Sequence, residues 1–192
     1  MVPSHWTQIP ESFGGLESLE KLHLNHNKLS GEIPASLARA SKLHQLELQN
    51  NELSGPLPPE FGGLKELVQL DLNDNELEGE VPSSYGDLTD LHRLDLHNNL
   101  LQGPIPEHLF ESQMSQLALV DLSSNRFSGH IPLGLCRMVH LASLNLAGND
   151  QLIGEVPNCA LDHGIHASDD SRARCQEQLR PFCMTLKGRN EL

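Results

Sequence analysis

The chain has 192 residues, of which 38% are hydrophobic and only 4% are aromatic, and its formal net charge is −13 at pH 7. Such an acidic chain lacks the basic face that nucleic-acid phosphates require, so the composition argues against a nucleic-acid partner. No segment approaches the ~18 consecutive apolar residues of a membrane-spanning helix, so the sequence predicts no transmembrane segment.

The first 15 residues are an incomplete copy of a repeat that later segments carry in full. Ile9-Pro10 is in phase with Ile33-Pro34, but the preceding leucine and glycine positions hold His5 and Thr7. Residues 1–6 have neither a charged start nor an apolar stretch, so no secretory signal is visible. Because terminal coils of a repeat array need a polar cap, we expect residues 1–15 to be a degraded first repeat in a fragment of a longer protein.

Residues 16–157 contain six copies of one pattern, in which leucines precede an asparagine and a glycine and an aliphatic–proline pair follow it. The spacings between the asparagines are 24, 24, 24, 26 and 24 residues; the asparagines are Asn27, Asn51, Asn75, Asn99, Asn125 and Asn149. A period of 20–29 residues with this pattern is typical of leucine-rich repeats. The sequence therefore predicts an α/β solenoid of the leucine-rich-repeat horseshoe type.

Each part of the repeat has a structural interpretation. Apolar and polar residues alternate in segments such as Leu22-His23-Leu24, which predicts one half-buried strand per coil in a parallel sheet. The asparagine side chain is expected to bond backbone groups that the following turn leaves unpaired. The glycine predicts a second bend, and the proline predicts an extended or 3₁₀ return path. These positions are Gly31, Gly55, Gly79, Gly103, Gly129 and Gly154, and Pro34, Pro58, Pro82, Pro106, Pro132 and Pro157.

The periodicity stops after Pro157. Residues 158–192 contain Cys159, Cys175 and Cys183, together with a short helix predicted from about Asp169 to Leu179 by its acidic start. We expect this segment to be a small cysteine-containing cap and tail.

The outward side chains of the predicted strands form columns along the sheet. The central column contains His23, Glu47, Asp71, Asp95, Asp121 and Asn145. We call its four carboxylates, Glu47, Asp71, Asp95 and Asp121, the acidic ladder. Adjacent strands lie ~4.8 Å apart, so one interpretation is a seat for a basic ligand or a divalent cation. The other is that the acidic residue is a common part of the strand and was copied with the repeat, since a hydrated face screens such charges.

Flanking columns add amides and other polar groups. One contains Asn25, Gln49, Asn73, His97, Ser123 and Ala147, and the opposite edge contains Lys21, Gln45, Gln69 and Arg93. Such groups can bond a peptide backbone or sugar hydroxyls. The predicted binding residues are therefore His23, Asn25, Glu47, Gln49, Asp71, Asn73, Arg93, Asp95, His97 and Asp121.

The sequence predicts no metal site, no cofactor and no catalysis. The 11 histidines show no ligand spacing of a known closed site. Asp95, His97 and Ser123 have the residue types of a hydrolase triad, but they lie on an open sheet without a nucleophile elbow or oxyanion turn. We therefore expect a binding protein and no enzyme.

The segment L-x-G-x-I/V/L-P, over residues 9–157, resembles the plant-specific class of leucine-rich repeats found in receptor kinases, receptor-like proteins and polygalacturonase inhibitors. The resemblance implies short additional strands at positions such as 53–57 and 77–81. It also implies recognition of a protein or peptide ligand through the concave sheet and an extracellular or cell-surface location. The alternatives are a cell-wall enzyme inhibitor and a structural or ice-binding solenoid.

The resemblance extends to the cysteines. Receptor-like proteins often contain a pattern similar to Leu135-Cys136 followed by Val156-Pro157-Asn158-Cys159. This implies the pair Cys136–Cys159. Four cysteines allow three pairings, of which we favour Cys136–Cys159 with Cys175–Cys183, and a Cys159–Cys183 bond is the next choice. Four reduced thiols, with Cys136 as a small buried apolar residue, remain the alternative.

Overall fold

In the computed structural model, which describes residues 7–111, 116–138, 140–153 and 166–167, a short strand starts each coil of a solenoid. These strands pair in parallel with their neighbours in sequence order and form a sheet that we call the concave sheet. Its strands are Lys21–His23, Gln45–Glu47, Gln69–Asp71, Arg93–Asp95, Leu119–Asp121, Ser143–Asn145 and His166–Ala167. The prediction of one parallel strand per coil is confirmed, and the strand at 166–167 extends the sheet past the last repeat.

A second parallel sheet runs beside the first. Its strands are Ser30–Gly31, Glu52–Pro56, Glu76–Gly79, Leu100–Pro104, Arg126–His130 and Gln151–Ile153. They lie where the family resemblance implied short additional strands. Within this sheet Gly55 has a φ of +79°, a left-handed conformation that glycine adopts without a steric cost.

The return path consists of 3₁₀ helices, which confirms the prediction from the prolines. Each helix starts directly after a proline, whose fixed φ suits the first turn. The helices are Glu11–Gly15, Ala35–Arg39, Pro59–Gly63, Ser83–Asp87, Glu107–Phe110 and Leu133–Arg137. Within the described residues, no helix is long and apolar enough to span a membrane.

The repeat leucines pack into one continuous core between the two sheets and the 3₁₀ helices. The first coil is less well covered than the later coils. Leu16 is 47% exposed, whereas the equivalent Leu64 and Leu88 are fully buried. The difference arises because no described coil packs on the N-terminal side of Leu16.

The asparagines bond the backbone as expected, and they also connect neighbouring coils. Asn51 Nδ2 donates to the Leu48 carbonyl oxygen in its own coil and to that of Leu24 in the preceding coil, both over 3.0 Å. Its Oδ1 accepts the Leu29 N–H over 3.0 Å. The same inter-coil pattern recurs at Asn75, Asn99, Asn125 and Asn149.

Two sequence predictions concern the C-terminal segment. Cys136 is assigned to a disulfide in this structure, which favours the interpretation with disulfides over that of four reduced thiols. Cys159, Cys175 and Cys183 lie outside the described residues, as do Gly154, Pro157 and the helix predicted near residues 169–179. The pairing of the cysteines stays a prediction.

Candidate binding face

The concave sheet brings the central column together in the predicted order. Strand pairing places His23 beside Glu47, Glu47 beside Asp71, and Asp71 beside Asp95. Asp121 lies between Asp95 and Asn145 in the same register. The side chains of this column therefore occupy neighbouring positions on the sheet.

Arg93 neutralises the middle of the acidic ladder. Its Nε donates to Asp71 Oδ1 and its Nη2 donates to Asp95 Oδ2, each over 2.7 Å. Asp71 and Asp95 are each only 4% exposed, whereas the Arg93 side chain remains 38% exposed. The expectation of four open carboxylates thus needs correction at these two positions, because Arg93 reaches between the strands and already supplies their counter-charge.

His97 continues this network toward the turn. Its Nδ1 lies 2.7 Å from Asp95 Oδ1, and its Nε2 lies 3.5 Å from Asp74 Oδ2. Burial alone lowers the pKa of His97, but the hydrogen bond to Asp95 and the charges of Asp95, Asp121 and Asp74 outweigh it and raise this pKa. The protonated imidazole is thereby favoured on this part of the sheet.

The two ends of the acidic ladder are more accessible. At the N-terminal end, Gln69 Nε2 donates to Asp71 Oδ2 over 2.6 Å and to Glu47 Oε1 over 3.3 Å. His23 Nε2 lies 3.6 Å from Glu47 Oε1, and His23 is exposed. Glu47 therefore has weaker internal partners than Asp71 and remains open to a ligand.

At the C-terminal end, neutral donors hold Asp121. Ser123 Oγ donates to Asp121 Oδ1 over 2.6 Å, and Asn145 Nδ2 donates to Asp121 Oδ2 over 3.0 Å. Ser123 thus directs its hydroxyl to Asp121, and no hydrogen bond joins it to His97 among the described contacts. The triad of Asp95, His97 and Ser123 is therefore not assembled for nucleophilic attack.

A possible cation site overlaps this network. Asp95, His97 and Asp121 each have one potential ligand atom within 4.8 Å of the others, which is the only such group in the described part of the chain. These atoms already have internal partners, since His97 bonds Asp95 and Ser123 bonds Asp121. Arg93 also adds a positive charge next to Asp95. The arrangement favours an internal hydrogen-bond network over a metal site.

Sequence reasoning missed the role of the residues directly before the asparagines. His26, Asn50, Asp74, Asn98 and Ser124 all have a φ between +52° and +58°. The residue types could have indicated this left-handed backbone conformation, since Asn, Asp and His are enriched among the residues that adopt it. Asp74 was absent from the predicted binding residues, yet it accepts hydrogen bonds from Asn73 and Asn98, each over 2.7 Å.

The remaining predicted positions differ in accessibility. Asn25 and Gln49 are half-buried, whereas Asn73 is buried and directed to Asp74. The Gln49 Oε1 atom is buried and has no hydrogen-bond partner among the described residues. The exposed polar surface is therefore concentrated at His23 and Glu47, at Arg93 and His97, and at the turn residues beside them.

Comparisons with known proteins agree with this geometry. Models of the leucine-rich-repeat family match residues 9–53, 66–88, 90–111 and 116–138. No curated protein sequence matches the chain. Several solved structures do.

Three of these structures illustrate the similarity. The ectodomain of the Arabidopsis receptor kinase HAESA, in complex with an N-terminally extended IDA peptide hormone ligand, is 35% identical with a TM-score of 0.74, over 78% of this chain and 25% of that chain. The Arabidopsis thaliana BIR3–SERK2 complex is 36% identical with a TM-score of 0.62, over 69% of each chain. A plant ice-binding protein is 31% identical with a TM-score of 0.74, over 82% of this chain and 49% of that chain.

The chain is much shorter than the larger receptors that it matches. It covers 24% of the plant peptide hormone receptor RGFR1 in its complex with RGF2, 27% of a TDR receptor and 21% of the matched chain in the PEPR1–AtPEP1 structure.

Proposed function

We propose that this chain, which belongs to the leucine-rich-repeat family, recognises a peptide or an extended protein segment through its concave sheet. The observation that carries the proposal is the polar surface of that sheet, on which the side chains of neighbouring strands lie side by side. Internal hydrogen bonds fix the positions of Arg93, His97 and Asp74 on this surface. A pre-organised surface loses little side-chain entropy on binding. The peptide complexes among the similar receptors support the same ligand class.

We further propose that the preferred ligand carries positive charge at the N-terminal end of the sheet. Glu47 and Asp74 have no lysine or arginine partner among the described residues, and both are partly exposed. Arg93 compensates Asp71 and Asp95, so these two residues shape the surface and contribute little net attraction. A basic group of the ligand would therefore lie near Glu47 and Asp74.

The proposal places no catalysis in this chain. Asp95 and Ser123 are engaged with other partners, and the open sheet offers no enclosed site that excludes water. In this view the chain is the ligand-binding part of a receptor-like ectodomain at the cell surface.

Charge-matched variants test the binding face. We would select peptide ligands from a displayed random library on the purified chain and measure the Kd of the best peptide at two salt concentrations. Glu47→Gln with Asp74→Asn should weaken binding about tenfold and reduce its salt dependence, because partly exposed charges attract the ligand. Glu78→Gln with Asp90→Asn removes the same charge away from the concave sheet and should change the Kd less than about twofold.

Comparing the two double variants distinguishes binding at the concave sheet from a long-range effect of the net charge. Equal losses in the two double variants would mean that the net charge of −13 acts at a distance and that the ligand contacts another surface. Asp71→Asn and Asp95→Asn are unsuitable for this test, since they would also disrupt the Arg93 network.

A cell-wall enzyme inhibitor would use the same face for a folded protein partner, and the library test would then yield no peptide.

Ice binding has less support from the surface. Ice binding needs a flat array of small hydroxyl groups. The equivalent column of the second sheet contains Ser30, Ser54 and Ser128, but Glu78 and Gln102 lie between these serines.

A further inference from the structure

A groove lies where the second sheet turns into the 3₁₀ helices. It has a volume of about 510 Å³ and extends across the first three coils, from Gln8 to Glu60. This volume lies within the ~300–1,000 Å³ of typical ligand pockets. The groove is separate from every residue assigned to the proposed binding face.

Apolar side chains form the floor of the groove. Ile33, Pro34, Leu57 and Pro58 line it and are themselves buried, so their positions are fixed by the core. Pro56 and Pro59 are exposed along its side. A floor of rigid rings and aliphatic groups offers apolar contact without ordering flexible side chains.

The rim of the groove is acidic. Glu11, Glu32 and Glu60 are exposed, and none of the described residues that line the groove is cationic. Glu32 lies across Gly55, because a Cβ atom on that glycine would be only 2.7 Å from Glu32 Cγ. This contact keeps the Glu32 side chain close to the groove.

From this combination we propose that the groove binds an extended segment of another protein in which basic and aliphatic residues alternate. In an extended chain, alternate side chains point in opposite directions. Aliphatic residues would contact the prolines of the floor, while lysine or arginine residues would reach the carboxylates of the rim. A second copy of this chain is a poor occupant, since each copy carries a net charge of −13.

The probe is a fluorescein-labelled Arg-Leu-Arg-Leu-Arg peptide, and fluorescence anisotropy measures its Kd. Glu-Leu-Glu-Leu-Glu and Arg-Gly-Arg-Gly-Arg serve as charge and apolar controls, and both should bind more weakly. Glu32→Gln with Glu60→Gln should weaken binding of the probe at least about fivefold. Glu52→Gln with Glu76→Gln removes the same charge from exposed positions outside the groove and should have less than about a twofold effect.

A steric variant tests the floor independently of charge. Ala35 is exposed and lines the groove, so Ala35→Trp should block the probe while leaving the thermal unfolding midpoint unchanged. A photo-reactive leucine in the probe should crosslink to residues 32–35 or 56–60. These crosslinks should persist in the concave variants Glu47→Gln and Asp74→Asn, so failure of the groove and failure of the concave site are distinguishable.

Four results would overturn the proposal. These are no binding of the probe, equal losses in both pairs of glutamate variants, crosslinks confined to the concave sheet, and binding that appears only after removal of residues 1–6. The last result would show that the chain's own N-terminal segment fills the groove.

Discussion

The side-chain amide of Asn75 donates to the carbonyl oxygen of Leu48, one coil earlier, over 3.0 Å. The same nitrogen lies 3.1 Å from the Leu72 carbonyl oxygen, and Asn75 Oδ1 accepts the Leu53 N–H over 3.0 Å. One side chain thus satisfies backbone groups of two coils that their own turns leave unpaired.

Asn75→Ala should therefore lower the free energy of unfolding by about 2 kcal/mol, because several backbone groups lose their partners at once. Urea unfolding followed by circular dichroism measures the change. Asn25→Ala is the matched control, since the Asn25 side chain makes no hydrogen bond to the described residues, and it should cost less than about 0.5 kcal/mol. A similar cost for both variants would show that the asparagine bonds are not structural.

Gly62 and Gly63 form a natural pair of test positions in one 3₁₀ helix. A Cβ atom on Gly62 would lie 2.4 Å from the Ser84 carbonyl oxygen, whereas a Cβ atom on Gly63 would have no atom within 4 Å. Gly62→Ala should cost about 2 kcal/mol because two coils must move apart. Gly63→Ala should be neutral or slightly stabilising, by up to about 1 kcal/mol. Equal effects in urea unfolding would contradict this close approach.

Tyr85 carries a fully buried hydroxyl group without a hydrogen-bond partner among the described residues. Phe61 occupies the equivalent core position one coil earlier and is also fully buried. Since an unpaired buried hydroxyl is costly, Tyr85→Phe should raise the free energy of unfolding by about 1 kcal/mol, and Phe61→Tyr should lower it. A loss of stability in Tyr85→Phe would indicate that the hydroxyl has a partner, such as a buried water.

The periodic parts of this structure were predictable from sequence because the same residue pattern, with the same local structure, occurs six times. Leucine alternation predicted the strands, the prolines predicted the 3₁₀ helices, and the asparagines predicted the backbone bonds. The inter-coil half of each asparagine bond was not predicted, since the repeat pattern does not show which backbone groups of the neighbouring coil the side chain reaches.

The polar surface was less predictable because its side chains cross between columns. Arg93 stands in an edge column of the sequence, yet it reaches Asp71 and Asp95 in the central column. Such contacts depend on rotamers and on the reach of a long side chain. Predicting them requires the three-dimensional spacing of the strands.

Breaking the Arg93 network has a predictable cost. Arg93→Gln would leave the buried carboxylate of Asp71 without a counter-charge and Asp95 with His97 alone. It should lower the free energy of unfolding by about 2 kcal/mol, less than the loss for a fully buried pair because the guanidinium is partly exposed. Arg126→Gln removes an exposed arginine that has no ion pair among the described residues and should cost less than about 0.5 kcal/mol.

Neutralising the partners should rescue the loss. The triple variant Asp71→Asn, Arg93→Gln and Asp95→Asn should recover part of the stability, since no uncompensated charge then remains. Urea unfolding of the three proteins at one ionic strength makes the comparison. If Arg93→Gln matched Arg126→Gln, the ion pairs would contribute nothing to folding.

The last prediction concerns pH and begins with His108, which joins two coils. Its Nε2 lies 3.0 Å from Asp87 Oδ1 in the preceding coil, and its Nδ1 lies 2.7 Å from Glu111 Oε2. Both ring nitrogens must donate to make these bonds, so the protonated form is favoured. The hydrogen bonds to Asp87 and Glu111 accordingly raise the pKa of His108.

The direction of the pH dependence follows from the coupling between proton binding and folding. For His108 and His97 the folded pKa lies above the unfolded value of ~6.5, so their contribution to stability is complete below that value and is lost as the pH rises through the folded pKa. Urea midpoints measured from pH 5.5 to 8.5 should therefore fall with rising pH in the wild type.

The double variant His97→Gln and His108→Gln should show a flatter profile. His130→Gln removes an exposed histidine with no ion pair among the described residues and should retain the wild-type slope. A slope that persisted in the double variant, or that disappeared in the His130 control, would show that other groups govern the pH dependence.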